Sequence, residues 1–588
     1  MATIHSLSDS KCNNSFPKSQ KLGKPLPSHM MVPSIMPSIV GKLSTLHINR
    51  AARTLDLLPS APHQPTFKPF HGNYNLDNIS RIIQPERPSI MASQWSNIKA
   101  AELENVPSPL MQTLNSEGNP SFCFLEFEFK VPLDYSKPAS MRDGKISLHA
   151  TLVYDDVTDP KHAAFKPVPV PVKAGPGVEP GSSHPWKGIL QSRKKKDLLL
   201  YLCGGPGDAN PWSKIPPLLR VALEDGYHVL FVDYRGTGKD SIVTPDKDAE
   251  FISMFRQDNI VRDLEAIRLC LEKDEPGLKF TLLGQSFGGW VITTYLSFLP
   301  SSIKTAAIHA GLPPIGCGPE KVYKSIFEEV ITRNKAYYKK YPDDKALVHK
   351  IVRKLETAPQ QYTDKDSGTK HTVTGRTFMT VGRSLGAQGG DGSIHNLVVC
   401  MSAELENGGK LSDETFKMYL ECQSFKLDQR PLYGVIHEAI YCYGPQVASK
   451  WAAQKVAKQQ GEQFSWVDET YDLKNHTGEL YFSGEMIFPF MLRNSGVTLA
   501  AFEEVAHKLA QKEDWPVLYN PVQLAVNEVE VVAVVYTDDM YVSGDLARKA
   551  GGMIRNFKEV TLPAGFGHKS IKDEKNAAEV FRKFFPKE

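Results

Sequence analysis

A serine hydroxyl attacks a carbonyl efficiently only when a neighbouring base takes its proton, and that base needs a carboxylate to hold its tautomer. Three places in this chain carry those residue types in a usable order. Gly-Gln-Ser-Phe-Gly at 284–288 has the G-x-S-x-G form of a nucleophile turn, with an apolar run at 279–283 before it and 289–296 after it. A strand turning sharply into a helix there lifts the Ser286 hydroxyl clear of the sheet edge, and the flanking glycines permit the turn. The bland alternative is a Gly/Ser loop. His568 is the only histidine beyond the last strong strand signals, which makes it the base. Asp539 follows the apolar run 529–536 and is assigned the orienting role, with Asp538 its rival and Asp545 nearby. A developing oxyanion needs two backbone N–H donors. Phe287, directly after the serine, supplies one, and the Gly204-Gly205-Pro206-Gly207 loop after the run 198–203 supplies the other through Gly204 or Gly205. No Gly-Lys-Ser/Thr follows that loop, so a nucleotide phosphate loop is rejected.

The elements that must position these residues read as an alternation. Short apolar runs at 198–203, 228–233, 280–283, 305–309, 529–536 and 557–562 predict strands. Ile260, Leu264, Ile267 and Leu271 give 259–272 helical spacing, and a second helix is expected near 546–551. Strands separated by helices predict an α/β fold with a largely parallel sheet covered on both faces. On such a sheet the chain order is serine, acid, histidine, each at the carboxyl end of a strand. Segments 122–131 and 145–154 read as an antiparallel pair. Between Pro313 and about Asn520 the alternation stops, and the sequence is mainly helical with aromatic-rich turns. The expected organisation is a core of 120–312 and 525–588, interrupted by a helical cap at 313–524. The Pro- and Gly-crowded stretch 157–192 is expected to be a surface excursion, and the basic run 193–196 a solvated strand flank rather than a nuclear signal.

Gly-Gly-Pro-Gly at 204–207, Asp-Tyr-Arg-Gly-Thr-Gly at 233–238, Gly-Gln-Ser-Phe-Gly-Gly at 284–289, Gly-Leu-Pro-Pro at 311–314, Asp-Met-Tyr-Val at 539–542 and Gly567-His568 together resemble the proline iminopeptidases. These are a branch of the α/β-hydrolases, and the resemblance covers about residues 120–588. It implies an α/β-hydrolase fold with an inserted helical cap, and removal of an N-terminal residue, preferentially proline, from peptides with a free N-terminus. No metal or organic cofactor is implied. The family's cap carries glutamates that hold the substrate's amino terminus, and Glu438 (within 433–441) and Glu485 (within 480–489) resemble those positions. Independently, an acid set among apolar and aromatic residues is costly to bury unless something cationic or a hydrogen-bond donor meets it. The alternative for each glutamate is a structural bond to an arginine or the backbone, and His437 is read as structural. Bacterial members place the orienting acid in a Gly-Arg-Tyr-Asp setting, whereas this chain has Tyr-Thr-Asp-Asp at 536–539, which keeps Asp538 in contention. Other readings are an exopeptidase of different specificity, resembling the tripeptidyl-aminopeptidases, a small-molecule ester or amide hydrolase, or a non-catalytic receptor on the same fold. An epoxide hydrolase would carry Asp where Ser286 stands.

Composition narrows the classes further. With 588 residues, 41% hydrophobic and 23% charged, the chain has ample apolar material for a large core. A net charge of +3 gives no sign of a nucleic-acid partner. No stretch approaches the ~20 apolar residues that span a bilayer. The eight cysteines include no C-x-x-C pair and several sit in apolar runs, which reads as buried free thiols in a reducing compartment. Residues 1–90 lack periodicity, and 1–80 hold eight basic residues against three acids. This basic, hydroxylated leader resembles an organelle transit peptide, more plastid-like than secretory, with a chloroplast or other organelle as the expected location and the cytoplasm otherwise. The alternative is a disordered tail or an extension ahead of Met91. Oligomeric state is not legible.

Overall fold

Runs dominated by leucine, valine and phenylalanine favour burial on both faces, and strands buried at every position occupy the centre of one ten-stranded sheet in the computed structural model. The structure describes residues 95–586 except 106–109, 113–121, 138–143, 155–196, 239–240, 366–367 and 564. The leader 1–90, the excursion 157–192 and the basic run 193–196 lie outside the described residues.

Eight strands precede the cap: β1 (Glu102–Asn105), β2 (Leu110–Gln112), β3 (Phe122–Pro132), β4 (Lys145–Tyr154), β5 (Leu198–Leu202), β6 (His228–Val232), β7 (Phe280–Gln285) and β8 (Ile303–His309). The cap contains β9 (Gln360–Thr363) and β10 (Lys370–Val373), and the core is completed by β11 (Glu530–Val534) and β12 (Phe557–Val560). The large sheet runs β1-β3-β4-β6-β5-β7-β8-β11-β12, with β2 also on β3. β3 and β4 pair antiparallel over ten residue pairs, from Cys123↔Tyr154 to Pro132↔Lys145, and β4 joins β6 antiparallel. From β6 to β12 every pairing is parallel. Strand β12 is one edge, and its Lys558 and Glu559 are exposed, as suits an edge that must not recruit another strand.

Helix Phe287–Phe298 packs behind β7 and is buried on nearly all sides, which its composition permits, since it carries no charged side chain. The threonine and serine hydroxyls bond back to the helix, Thr293 to the Gly289 carbonyl at 2.8 Å and Ser297 to the Thr293 carbonyl at 2.8 Å, while the Tyr295 hydroxyl donates to Glu265 at 2.7 Å. No described helix is long and apolar enough to cross a membrane. The seven described cysteines are free, and all but Cys400 are buried.

Two polar devices brace the floor of the site. Arg235, fully buried, forms a bidentate pair with Asp263 at 2.7 and 2.6 Å and donates to the carbonyls of Pro132, Leu133 and Met254 at 2.8–3.0 Å. That accounts for the arginine in the 233–238 motif: one guanidinium fixes the end of β3, the loop after β6 and helix Gln257–Glu272. Asp233 accepts from the Asn210 N–H at 2.9 Å, and Tyr234 donates to the Cys203 carbonyl at 3.1 Å. Both bonds hold the Gly204–Gly207 loop from below.

Between β8 and β11 the chain forms helices such as Pro319–Lys340, Asp344–Thr357, Gly390–Asn407 and Asp413–Gln423. The β9–β10 ribbon differs from the expected helical pattern. Its strands are four residues each, too short for an alternation to stand out, and a turn closed by the Gly368 N–H on the Asp364 carbonyl joins them. Tyr362 stacks on Phe416 at 4.7 Å, which seats the ribbon on its neighbouring helix.

Candidate active site

Ser286 stands at the junction of β7 and helix Phe287–Phe298 with φ 52° and ψ −121°, a left-handed conformation that is rare for a residue with a Cβ. Its N–H donates to the His309 carbonyl at 3.0 Å and its own carbonyl accepts from Gly289 at 2.8 Å, so the neighbouring strand and the helix hold the strained turn. The flanking glycine is required by close approach. A Cβ on Gly288 would lie 2.0 Å from the Leu202 carbonyl oxygen, because the elbow is pressed against the end of β5.

The other groups arrive from the carboxyl ends of neighbouring parallel strands. Gly204 and Gly205 follow β5, and a Cβ on Gly204 would meet Ser286 Cβ at 2.9 Å, which places that backbone directly beside the serine. Asp539 follows β11, and its Oδ2 receives His568 Nδ1 at 2.7 Å, with both side chains buried. Its Oδ1 accepts from the N–H groups of Tyr541 and Val542 at 2.8 and 3.2 Å. Asp538 turns outward instead, its exposed carboxylate paired with Arg333 at 2.8 Å, and Asp545 is exposed in the first turn of helix Gly544–Gly551. His568 lies after β12, its carbonyl held by Gln285 Nε2 at 3.4 Å and its ring against Tyr541 at 4.7 Å. Among the described residues no three His, Cys, Asp or Glu side chains are grouped so as to hold a metal ion.

Ser286, Gly204, Gly205, Phe287 and His568 line one cleft of about 630 Å³, mouth included, which the cap roofs. Glu485 also lines it. Its Oε1 accepts from Arg383 Nε and Nη2 at 3.0 and 2.8 Å and from the Tyr433 hydroxyl at 2.7 Å, while no described group bonds Oε2. Burial alone would raise this carboxyl, yet Arg383 foremost, with His437 and His568 and the Tyr433 bond, holds it down at about 2, so it is ionised at any working pH. His437 Nε2 donates to the Glu485 carbonyl at 3.2 Å, and burial pushes its pKa down. Phe287, Trp290, Tyr433, Ile440 and Tyr441 form an apolar wall beside it, with Trp290 edge-on to Tyr441 at 5.2 Å.

Glu438 is placed differently. It is buried outside the cleft, and its two oxygens accept from the Ala453 and Ala452 N–H groups at 2.9 and 3.1 Å. It therefore closes the N-terminus of helix Ala452–Lys458, satisfying donors the helix cannot. The pairing with a substrate amine expected from resemblance fails on this geometry. Burial, only partly offset by those backbone bonds, pushes Glu438 up to about 7 from an ordinary 4.5. Between these values the folded chain holds a proton that the unfolded chain has released, so stability falls as pH rises from 4.5 to 7. The loss amounts to roughly 3 kcal/mol. Glu438→Gln has no such proton, and in urea melts between pH 5 and 8 its stability relative to wild type should rise by about that amount; a pH-independent difference would contradict the assignment.

Sequence reasoning did not reach Arg383 or Trp290. Arg383 sits in a short 3-10 stretch, Met379–Gly386, with no motif, and its role depends on Glu485 more than a hundred positions away. Trp290 is legible only as one apolar residue of a buried helix.

A strained serine between a parallel strand and a buried helix, a histidine and acid from later strand ends and an inserted roof define an α/β-hydrolase. The sequence matches the α/β hydrolase fold family over residues 197–352. It is 30% identical over 499 residues to a proline iminopeptidase of Aspergillus aculeatus, covering 83% of this chain and 98% of that protein. It is 35% identical over 362 residues to the proline iminopeptidase of Aeromonas sobria, covering 60% of this chain and 78% of that one. A solved proline iminopeptidase structure from Mycobacterium smegmatis aligns over 74% of this chain and 94% of its own, with 12% identity and a TM-score of 0.33. The chain belongs to the proline iminopeptidase family, and is a serine-hydrolase aminopeptidase.

Proposed function

We propose that the chain removes N-terminal proline from peptides through a Ser286–His568–Asp539 triad and an acyl-enzyme. The observation that carries this reading is Glu485, anchored through Oε1 and ionised, with Oε2 unbonded in the cleft that Ser286 lines. A cationic imino group bound there fixes how far into the cleft the substrate extends, so that the first peptide carbonyl is the one presented to the serine. The ring of an N-terminal proline packs against Phe287, Trp290 and Tyr441. Both relatives named above are proline iminopeptidases, which supports the same preference.

In this mechanism His568 Nε2 takes the Ser286 proton as Oγ attacks the carbonyl carbon. Asp539 holds Nδ1–H and stabilises the imidazolium. The N–H groups of Phe287 and of Gly204 or Gly205 receive the oxyanion, each worth on the order of 3–4 kcal/mol of barrier. His568 then protonates the leaving amine, and water, deprotonated by the same nitrogen, releases proline. The test is turnover of proline β-naphthylamide against its N-acetylated form. A purified protein that cleaves both equally, or neither, overturns the proposal.

Glu485→Gln gives the sharper readout. A buried charge-assisted contact contributes about 2–4 kcal/mol to recognition. The variant is expected to lose about 10²- to 10³-fold in kcat/KM toward the free-amine substrate, and to gain nothing toward the acetylated one.

A further inference from the structure

The cleft carries more positive charge than the protein itself answers. Four cations approach it: Arg383, Arg430, Lys569 and Lys572. Arg383 is paired with Glu485, and Arg430 with Asp208 on the loop after β5. Lys569 and Lys572 both line the cleft, the first half-buried and the second exposed at the mouth. Neither forms an ion pair among the described residues; Lys569 instead lies over the Tyr541 ring at 5.5 Å. The two lysines are fixed by a tight turn, in which the Gly567 N–H donates to Ser570 Oγ at 2.7 Å and the Ser570 N–H to the Gly567 carbonyl at 2.9 Å. Burial, and then the field of Arg383, push Lys569 down to about 8, with Glu485 pulling the other way. An anion docking here relieves that repulsion.

Their position relative to the reaction says which anion. The leaving amine must reach His568 to collect its proton, so the first residue of the departing peptide lies beside His568, and Lys569 is the next residue in the chain. In a dipeptide the terminal carboxylate is attached to the carbon that bears that amine. We propose that Lys569, assisted by Lys572, binds a carboxylate on the leaving residue, which makes proline dipeptides with a free C-terminus preferred substrates. This rests on the aminopeptidase reading above and adds its second recognition point. Glu485 reads the amino end, and the lysines read the acid end, of a substrate two residues long.

A carboxylate at that point comes either from the chain terminus or from an acidic side chain, and two substrate pairs separate these sources. Pro-Gly is compared with Pro-Gly-amide, and Pro-Asp-amide with Pro-Asn-amide, in wild type, Lys569→Gln and Lys569→Arg. Wild type is expected to favour Pro-Gly over its amide by about tenfold in kcat/KM, carried by KM, as a single charge-assisted contact provides. The ratio should fall to near one in Lys569→Gln and recover in Lys569→Arg. Discrimination confined to the Asp/Asn pair, and lost in Lys569→Gln, keeps the carboxylate site but assigns it to side chains. If neither pair discriminates in wild type, or if the ratio survives Lys569→Gln, the inference is overturned while the aminopeptidase reading stands. Failure to cleave any of the four peptides overturns both.

Discussion

Ser286→Ala is expected to lower kcat/KM toward proline β-naphthylamide by about 10⁴- to 10⁶-fold and to abolish labelling by a fluorophosphonate probe. The loss is large because the hydroxyl is the only group at the elbow that can form the acyl bond, and the remaining parts have nothing to act upon. Binding should survive, since Glu485, Arg383 and the aromatic wall do not depend on the hydroxyl. Competition by a proline-amide ligand, measured calorimetrically, is the control. Folding should survive as well, because the strain at φ 52° is borne by the backbone and alanine is no worse there than serine. A variant that folds, binds and still turns over substrate within tenfold of wild type would remove the serine from the mechanism, and with it the acyl-enzyme.

Asp539→Asn is expected to cost about 10⁴-fold in kcat, while Asp538→Asn stays within a few-fold. The reason lies in how Asp539 is held. Its Oδ1 is fixed by the Tyr541 and Val542 N–H groups, so an asparagine must keep its oxygen there and turn its NH₂ toward His568 Nδ1. Two donors cannot share one bond. The imidazole then carries its proton on Nε2, where it cannot accept one from Ser286. Asp538 offers a contrast, since its partner is Arg333 on the surface, and exposed pairs contribute about 0–1 kcal/mol. Equal losses in the two variants would break this division between neighbouring acids.

Much of this site is readable because local sequence and sheet geometry constrain the same residues. Ser286 is flanked by glycines that the packing requires, and His568 follows the last strand with no competing histidine beyond it. The central parallel strands β5, β6 and β7 are largely apolar runs, as strands buried on both faces must be. The two glutamates lacked such a constraint. Glu438 and Glu485 both sit among aromatic and aliphatic neighbours, and sequence cannot tell a carboxylate that caps a helix from one that faces a cleft. What separates them is the partner: backbone N–H groups of residues 452 and 453 for the first, and the side chains of Arg383 and Tyr433 for the second. The choice between Asp538 and Asp539 was open for a similar reason, because one residue of register decides which carboxylate faces inward.

The neighbours β8 and β11 belong to distant parts of the chain, and Thr305 lies opposite Glu530 in the sheet, 225 positions later. A ribosome adding 5–20 residues per second needs about 10–45 s to bridge that interval. Through that time the nascent chain holds the elbow serine and the Gly204 loop, but neither Asp539 nor His568. On the proposed mechanism, the catalytic set is thus complete only once the chain has been made past His568. If Ser286 and His568 act as proposed, a polypeptide stalled or truncated anywhere before Glu530 has its nucleophile without a base, and is expected to be inert toward the peptides around it. On that reading latency, which secreted proteases obtain from a removable segment, comes here from the order in which the strands are made.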